Sequence, residues 1–595
     1  MLLVLLASAR LALADPTPAQ ADAQRFLDLY NSLFLSFGTL DSNASWDAST
    51  DVNEINEGRR TASGQALAAF LGDAQIVANA RTLLTHKVEL TPLQVRQLEA
   101  VVFDAGVSPA TIPDVVNARI AAESKQSAVQ DAFVYCLEAP AADGTCAAPK
   151  TANEINEILE ANDDLAARKI GWEASKQIGV PLKAGLGDLV KLRNQLARES
   201  GYTSYFGYMV SDYGMTVAEM LTLLDGFVAD TAPLYRELQQ WSTRQYAGRY
   251  QAPVPAGAVP AHWVGNRWAQ EWPGLVASTD LDKYFKDRQP EWIVKQAESF
   301  YVSIGFPPLP QAFWTKSDLY PVPVGSSRHK NSHASAWHID MRNDIRSLMS
   351  VEPNSQWFGT SHHELGHIYY YVSYTRPEVP PILREGANRA FHEGIGELIN
   401  VAAGQTPYLK QIGVLPAKMK IDPMQRLLAE AIEQTVVFMP FAAGTMSHFE
   451  YELYEKDLPQ DQWQKRWWEL AGQYQNVAPP DASRLTDTAL CDACTKTHIN
   501  DDPAGYYDYA LATVIKYQLH EHIARKILKQ DPHACNYYGN KEVGNFLRGI
   551  LEKGATEDWR KVLKDATGEE LSTRAMVDYF KPLQGWLEKE NKRAK

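Results

Sequence analysis

Apolar residues recur at three- and four-residue spacing along most of this chain, and strand-like alternation is scarce. "DAQRFLDLYNSLFLSFGTL" (22–40), "GQALAAFLGDAQIVANARTLL" (64–84) and "TPLQVRQLEAVVFDAG" (91–106) each predict helix. The last opens on Thr91 as N-cap with Pro92 at the first helical position. The same period predicts helices over 152–178, 186–200, 216–244, 289–303, 424–438, 509–529 and 541–552. "SAWHIDM" (335–341) is the best strand candidate, and the Pro/Gly-rich stretches 250–265 and 305–325 read as loops. Neither stretch is long or polar enough to be a flexible linker. No internal repeat or low-complexity tract divides the chain. Although 595 residues could make several domains, the pattern predicts one large, mainly α-helical unit.

Hydrophobic content of 45% and charged content of 22% are those of a soluble globular protein. A net charge of −14 argues against a nucleic-acid partner, which calls for a basic face. The opening "MLLVLLASARLALAD" reads as the end of a secretory signal over residues 1–14, cut before Asp15, although Arg10 interrupts the apolar run. Elsewhere no apolar run nears the roughly 20 residues of a membrane helix, so no membrane span is expected. Cys136 and Cys146 flank a polar, turn-rich loop that a disulfide could close. Cys491 and Cys494 form a CxxC without the second pair a zinc knuckle needs, and read as a local bridge or free thiols. Cys535 is left over.

Chemistry concentrates in "SHHELGHIYYY" (361–371), which holds an HExxH. With 14 histidines in the chain, a chance HExxH is on the order of one in fifty, so the motif needs support. On a helix, His363 and His367 lie one turn apart on one face and can take two positions of a tetrahedral zinc ion. Glu364 then stands beside the metal, placed to take a proton from the attacking water. Downstream, "REGANRAFHEGIGELINVAAG" (384–404) predicts a second helix with Glu393 as third ligand, and Glu397 one turn on to orient a ligand imidazole. The bland alternative makes Glu393 and Glu397 a solvated helix face.

These words, "HHELGHIYYYVSY…REGANRAFHEGIGE", resemble the zinc helices of the angiotensin-converting enzymes, which are peptidyl-dipeptidases with the pattern HHEMGH, REGAN, FHEAIGD. "SHASAW" (332–337), "HWVGNRWAQEW" (262–272), "VFMPF" (437–441), "KTHINDDPAGYYDY" (496–509) and "MVDYFKPLQGWLEKEN" (576–591) resemble further words of that family. The likeness runs from about residue 20 to 590. It implies a helical ellipsoid with a deep central cleft, one catalytic domain over 15–595, and lid helices over about 22–105. It implies one zinc per chain on His363, His367 and Glu393, with Glu364 as general base and Glu397 behind the ligands. Tyr509 and His498 would stabilise the oxyanion; Lys496, Gln270 and Tyr506 would hold the substrate's C-terminal carboxylate. His333 and the backbone of Ala334 would hold the peptide main chain, and Phe438 and Phe441 would line the pocket for the C-terminal residue. The Cys136–Cys146 bridge is retained in this reading.

The implied activity is removal of C-terminal dipeptides from oligopeptides with a free carboxylate, by zinc-activated water. A single-residue carboxypeptidase of the same family, or a non-catalytic peptide-binding protein on this fold, are the alternatives. Departures are informative. Glu397 replaces the family's Asp, Ser332 and Arg525 stand where cysteines pair, and Asp508 and Ala471 replace two chloride-binding arginines. Chloride activation is therefore expected to be weak or absent. The missing disulfides, small size and leader point to a periplasmic or secreted bacterial enzyme.

Overall fold

The computed structural model describes residues 15–138, 146–276, 281–323, 325–331 and 333–594; the expected leader 1–14 and Ser332 lie outside them. As expected, the fold is mainly α. The first helix, Pro18–Thr50, begins at a capping box between Thr17 and Gln20 with proline at its first position. The predicted helix 64–84 is two helices, Glu54–Leu71 and Ala74–Leu84. They part at Gly72, where a Cβ would meet the Ser108 carbonyl oxygen at 1.5 Å, and Asp73 caps the second one. Likewise 152–178 breaks into Ala152–Ala161 and Leu165–Ser175, because the Asp164 side chain accepts from Ala166 N–H and starts a new helix.

Two other differences concern regularity. The stretch 305–325 contains a short helix, Gln311–Lys316. The predicted 424–438 helix is regular only over Pro423–Glu430. It runs on as π turns over Ala431–Thr435 and, beyond Pro440, to Met446. Proline has no N–H to give, so wider turns carry the chain past it. Among the described residues the strands form three two-stranded pairs, of which Ser335–His338 with Ile345–Leu348 is the longest.

Three helices build the centre. Ser355–Tyr374 packs on Arg389–Ala403, which packs on Tyr507–His522. In the third, the residues from Ala510 to His520 are all buried, the polar Thr513, Lys516, Gln518 and His520 with the apolar ones. The N-terminal helices pack against the Pro381–Leu383 turn and are pinned by polar links. Asn31 accepts from Ile382 N–H at 3.1 Å, and Arg96 donates twice to the Ala555 carbonyl at 2.9 and 3.1 Å. Cys136 pairs with Cys146, Cys491 pairs with Cys494, and Cys535 is buried and free. Among the described residues no helix is long and apolar enough to cross a membrane.

Candidate active site

Asn354 and Asn388 cap the first two central helices by accepting from Trp357 and Phe391 N–H. The helices cross at glycines: a Cβ on Gly366 would stand 2.9 Å from Gly396 Cα. That close crossing brings His363, His367 and Glu393 together, with one ligand atom of each within 4.8 Å of the others. The two Nε2 atoms are 3.0 Å apart, and Glu393 Oε2 is 3.7 Å from His363 Nε2.

Several observations fit a divalent cation at this point. Two imidazoles and a carboxylate are a zinc donor set with a position to spare. His363 turns its other nitrogen, Nδ1, to Glu397 Oε1 at 3.3 Å, and His367 Nδ1 meets His392 Nδ1 at 2.7 Å. Such partners fix which nitrogen is free for a metal. Burial disfavours charge on His363, yet Glu397, Glu364 and Glu393 outweigh it and push the ring up to about 9. The pocket is thus anionic enough to draw a cation. Glu364 is 6% exposed, its Oε2 has no hydrogen-bond partner, and burial pushes its carboxyl up to about 7. The neighbouring His362 is structural: buried, it meets the Phe358 carbonyl and Tyr408 hydroxyl through its two nitrogens.

Glu393, Glu397, Gln270, Phe438 and Tyr509 line one cavity of about 230 Å³. Tyr509 OH lies 3.4 Å from His498 Nε2. Burial first, then Lys496, holds His498 down at about 3, so its ring is neutral. Lys496 Nζ donates to Gln270 Oε1 at 2.8 Å and Tyr506 OH to the same oxygen at 3.4 Å, so the three expected carboxylate partners converge. Phe438 faces the cavity, whereas Phe441 is fully buried and stacks edge-on behind Tyr506. His333 is exposed ahead of the strand Ser335–His338, close enough to depress His498 electrostatically. Among the described residues that strand pairs on one edge only, and Tyr371 OH ties it to the His363 helix through the Ala336 carbonyl.

Three residues were missed in the sequence. Lys516 contacts Glu397 Oε2 at 3.3 Å, and His392 backs His367. Arg389 pairs with Asp502 through both terminal nitrogens and with Asp508 at 3.4 Å. A single lysine inside the apolar run "YALATVIKYQL" was the available signal for Lys516. Asp508 is buried and accepts from Tyr213 OH at 2.6 Å, and Ala471 is buried too.

The angiotensin-converting enzyme model of peptidase family M2 matches residues 17–595. An angiotensin-converting enzyme of Theromyzon tessulatum is 27% identical over 97% of this chain and 93% of its own length. The enzyme of that name from Mus musculus is 27% identical over 97% of this chain, which spans 44% of the mouse protein. An angiotensin-converting enzyme-related protein of Drosophila melanogaster is 30% identical over 74% of this chain and 71% of its own. This chain belongs to the angiotensin-converting enzyme family of zinc metallopeptidases.

Proposed function

We propose that the chain is a zinc peptidyl-dipeptidase that releases C-terminal dipeptides from oligopeptides. One observation carries the dipeptide reading: Lys496 and Tyr506 converge on Gln270, in the cavity that also holds Glu393 and Tyr509. A cation and neutral donors at one point suit a single carboxylate. The single-residue branch of the family departs from this Lys and Gln pair.

His363, His367 and Glu393 would hold the zinc, which when bound supplies Lewis-acid polarisation of the carbonyl and activation of water. Glu364 takes the proton of the attacking water and returns it to the leaving amine. Tyr509 OH donates to the developing oxyanion, held by the neutral His498 ring beside it. His333 and the backbone at Ala334 hold the substrate main chain alongside the open strand edge. Phe438 lines the side-chain pocket, with Phe441 supporting it from behind.

Residues 15–595 make one catalytic domain, in which the helices within about 22–105 serve as a lid. Two paired cysteine couples fit an oxidising compartment, periplasmic or extracellular. Asp508 occupies Tyr213 and Arg389 with a built-in carboxylate, which leaves chloride little to bind there.

The test is mass spectrometry of the products from an N-blocked pentapeptide, with and without a zinc chelator. Chelator-sensitive loss of an intact dipeptide is expected. Stepwise loss of single residues overturns the Lys496–Gln270 clamp, and zinc uptake without cleavage turns the protein into a peptide binder.

A further inference from the structure

Lys516 is 2% exposed, and burying an ammonium is costly unless it is paired. It sits two turns past Tyr509 on the same helix. Its Nζ meets Glu397 Oε2 at 3.3 Å, while the other oxygen of that carboxylate meets His363 Nδ1 at 3.3 Å. Glu397 is therefore gripped at both oxygens, by a cation from one helix and an imidazole from another. The remaining carboxylates that line Lys516's two flanking cavities are Glu393, Glu271, Glu430 and Glu433. Glu430 is engaged by Tyr517 and Tyr579, and among the described residues only Glu397 lies within ion-pair distance of Nζ.

A glutamate has one more rotatable bond than the family's aspartate, so its carboxylate has more places to go unless something holds it. A histidine ligand works only with its ring orientation and tautomer fixed from behind. We propose that Lys516 is a positioning residue of the metal site: its ammonium anchors Glu397, and Glu397 fixes the His363 ring with Nε2 towards His367 and Glu393. The inference rests on the zinc reading above but not on the length of the released product.

Zinc dissociation constants, measured on the whole chain by competition with a chromophoric chelator, test it. Lys516→Met and Lys516→Gln should each weaken zinc binding by about 10- to 100-fold, the range for loss of such outer partners. Lys516→Arg, which keeps the cation, should stay within about threefold of wild type, and KM should move little in any of them. In a cycle with Glu397→Gln, the double variant should lose no more than Glu397→Gln alone. Unfolding midpoints of the chelator-treated proteins separate this from a general loss of packing, and Lys516→Gln reports if Lys516→Met does not fold. Wild-type zinc affinity in both uncharged variants, or losses that add in the cycle, overturns the proposal. A raised KM with unchanged zinc affinity overturns it as well, by placing Lys516 on the substrate. A wild-type chain that takes up no zinc removes this inference and the zinc reading together.

Discussion

Gly396 stands so close to His363 that a Cβ on it would meet the imidazole Cε1 and Nδ1 at 2.8 Å. The first two central helices thus meet through a glycine pair, Gly366 and Gly396, and any side chain at the crossing must push the ligand ring away. Gly396→Ala should destabilise the protein by about 1–3 kcal/mol, the usual cost of overpacking a core. The displaced ring should also lower the zinc content of the purified variant. Thermal midpoint and atomic absorption check both, and wild-type values for each would contradict so close a crossing.

Glu364 has no hydrogen-bond partner on Oε2 and stands outside the ligand trio of His363, His367 and Glu393. Glu364→Gln should keep the zinc and the fold while lowering kcat by about 10²- to 10⁴-fold, the worth of a positioned general base. Glu393→Ala removes one of the three proposed ligands and should instead release the metal during dialysis. Zinc content and single-turnover rates of the two variants separate the roles. A Glu364→Gln enzyme with full activity would move the base to another residue.

The sequence made the parts of the site legible and left their assembly hidden. HExxH and the downstream glutamates follow helical period, so the shared face of His363 and His367 could be read directly. The Gly366–Gly396 crossing could not, because a glycine in a helix says nothing about what approaches it. Phe438 and Phe441 look alike in "VFMPF", yet only Phe438 reaches the cavity, since Pro440 sends the helix into wide turns that no periodicity anticipates. The break at Gly72 depends on the carbonyl of Ser108, thirty-six residues away. Local pattern fixes which helices form; long-range contact decides where they stop and what they turn inward.

Asp508 bears on ionic regulation. Its carboxylate accepts from Tyr213 OH and faces Arg389, and the buried chain at Ala471 offers no cation. Replacing acetate with chloride at constant ionic strength should change kcat/KM by less than about twofold, because the Asp508 carboxyl already occupies Tyr213 and Arg389. Severalfold stimulation would show an anion site elsewhere. Asp508→Asn removes the charge but keeps the acceptor for Tyr213. It should retain the fold while loosening Arg389, seen as a lower thermal midpoint.

The proposed role of Lys496 in holding the substrate's carboxylate predicts a pH limb of definite sign. Burial foremost, with Arg267 adding to it and Glu271 opposing it, brings its ammonium down to about 7 in the free enzyme. Below that pH the clamp is charged and ready for a carboxylate; above it, each binding event must first recover a proton. For a peptide with a free C-terminus, kcat/KM should therefore fall as pH rises above 7, approaching tenfold per unit. The same peptide with a C-terminal amide makes no use of that charge, so its profile should lack the limb. Lys496→Met should raise KM for the free acid by about 10- to 100-fold, the value of a charge-assisted hydrogen bond of roughly 1.5–3 kcal/mol, and should leave the amide nearly untouched. Parallel pH profiles for the two peptides on the unaltered enzyme would take the carboxylate away from Lys496, and with it the reason for cutting two residues from the end.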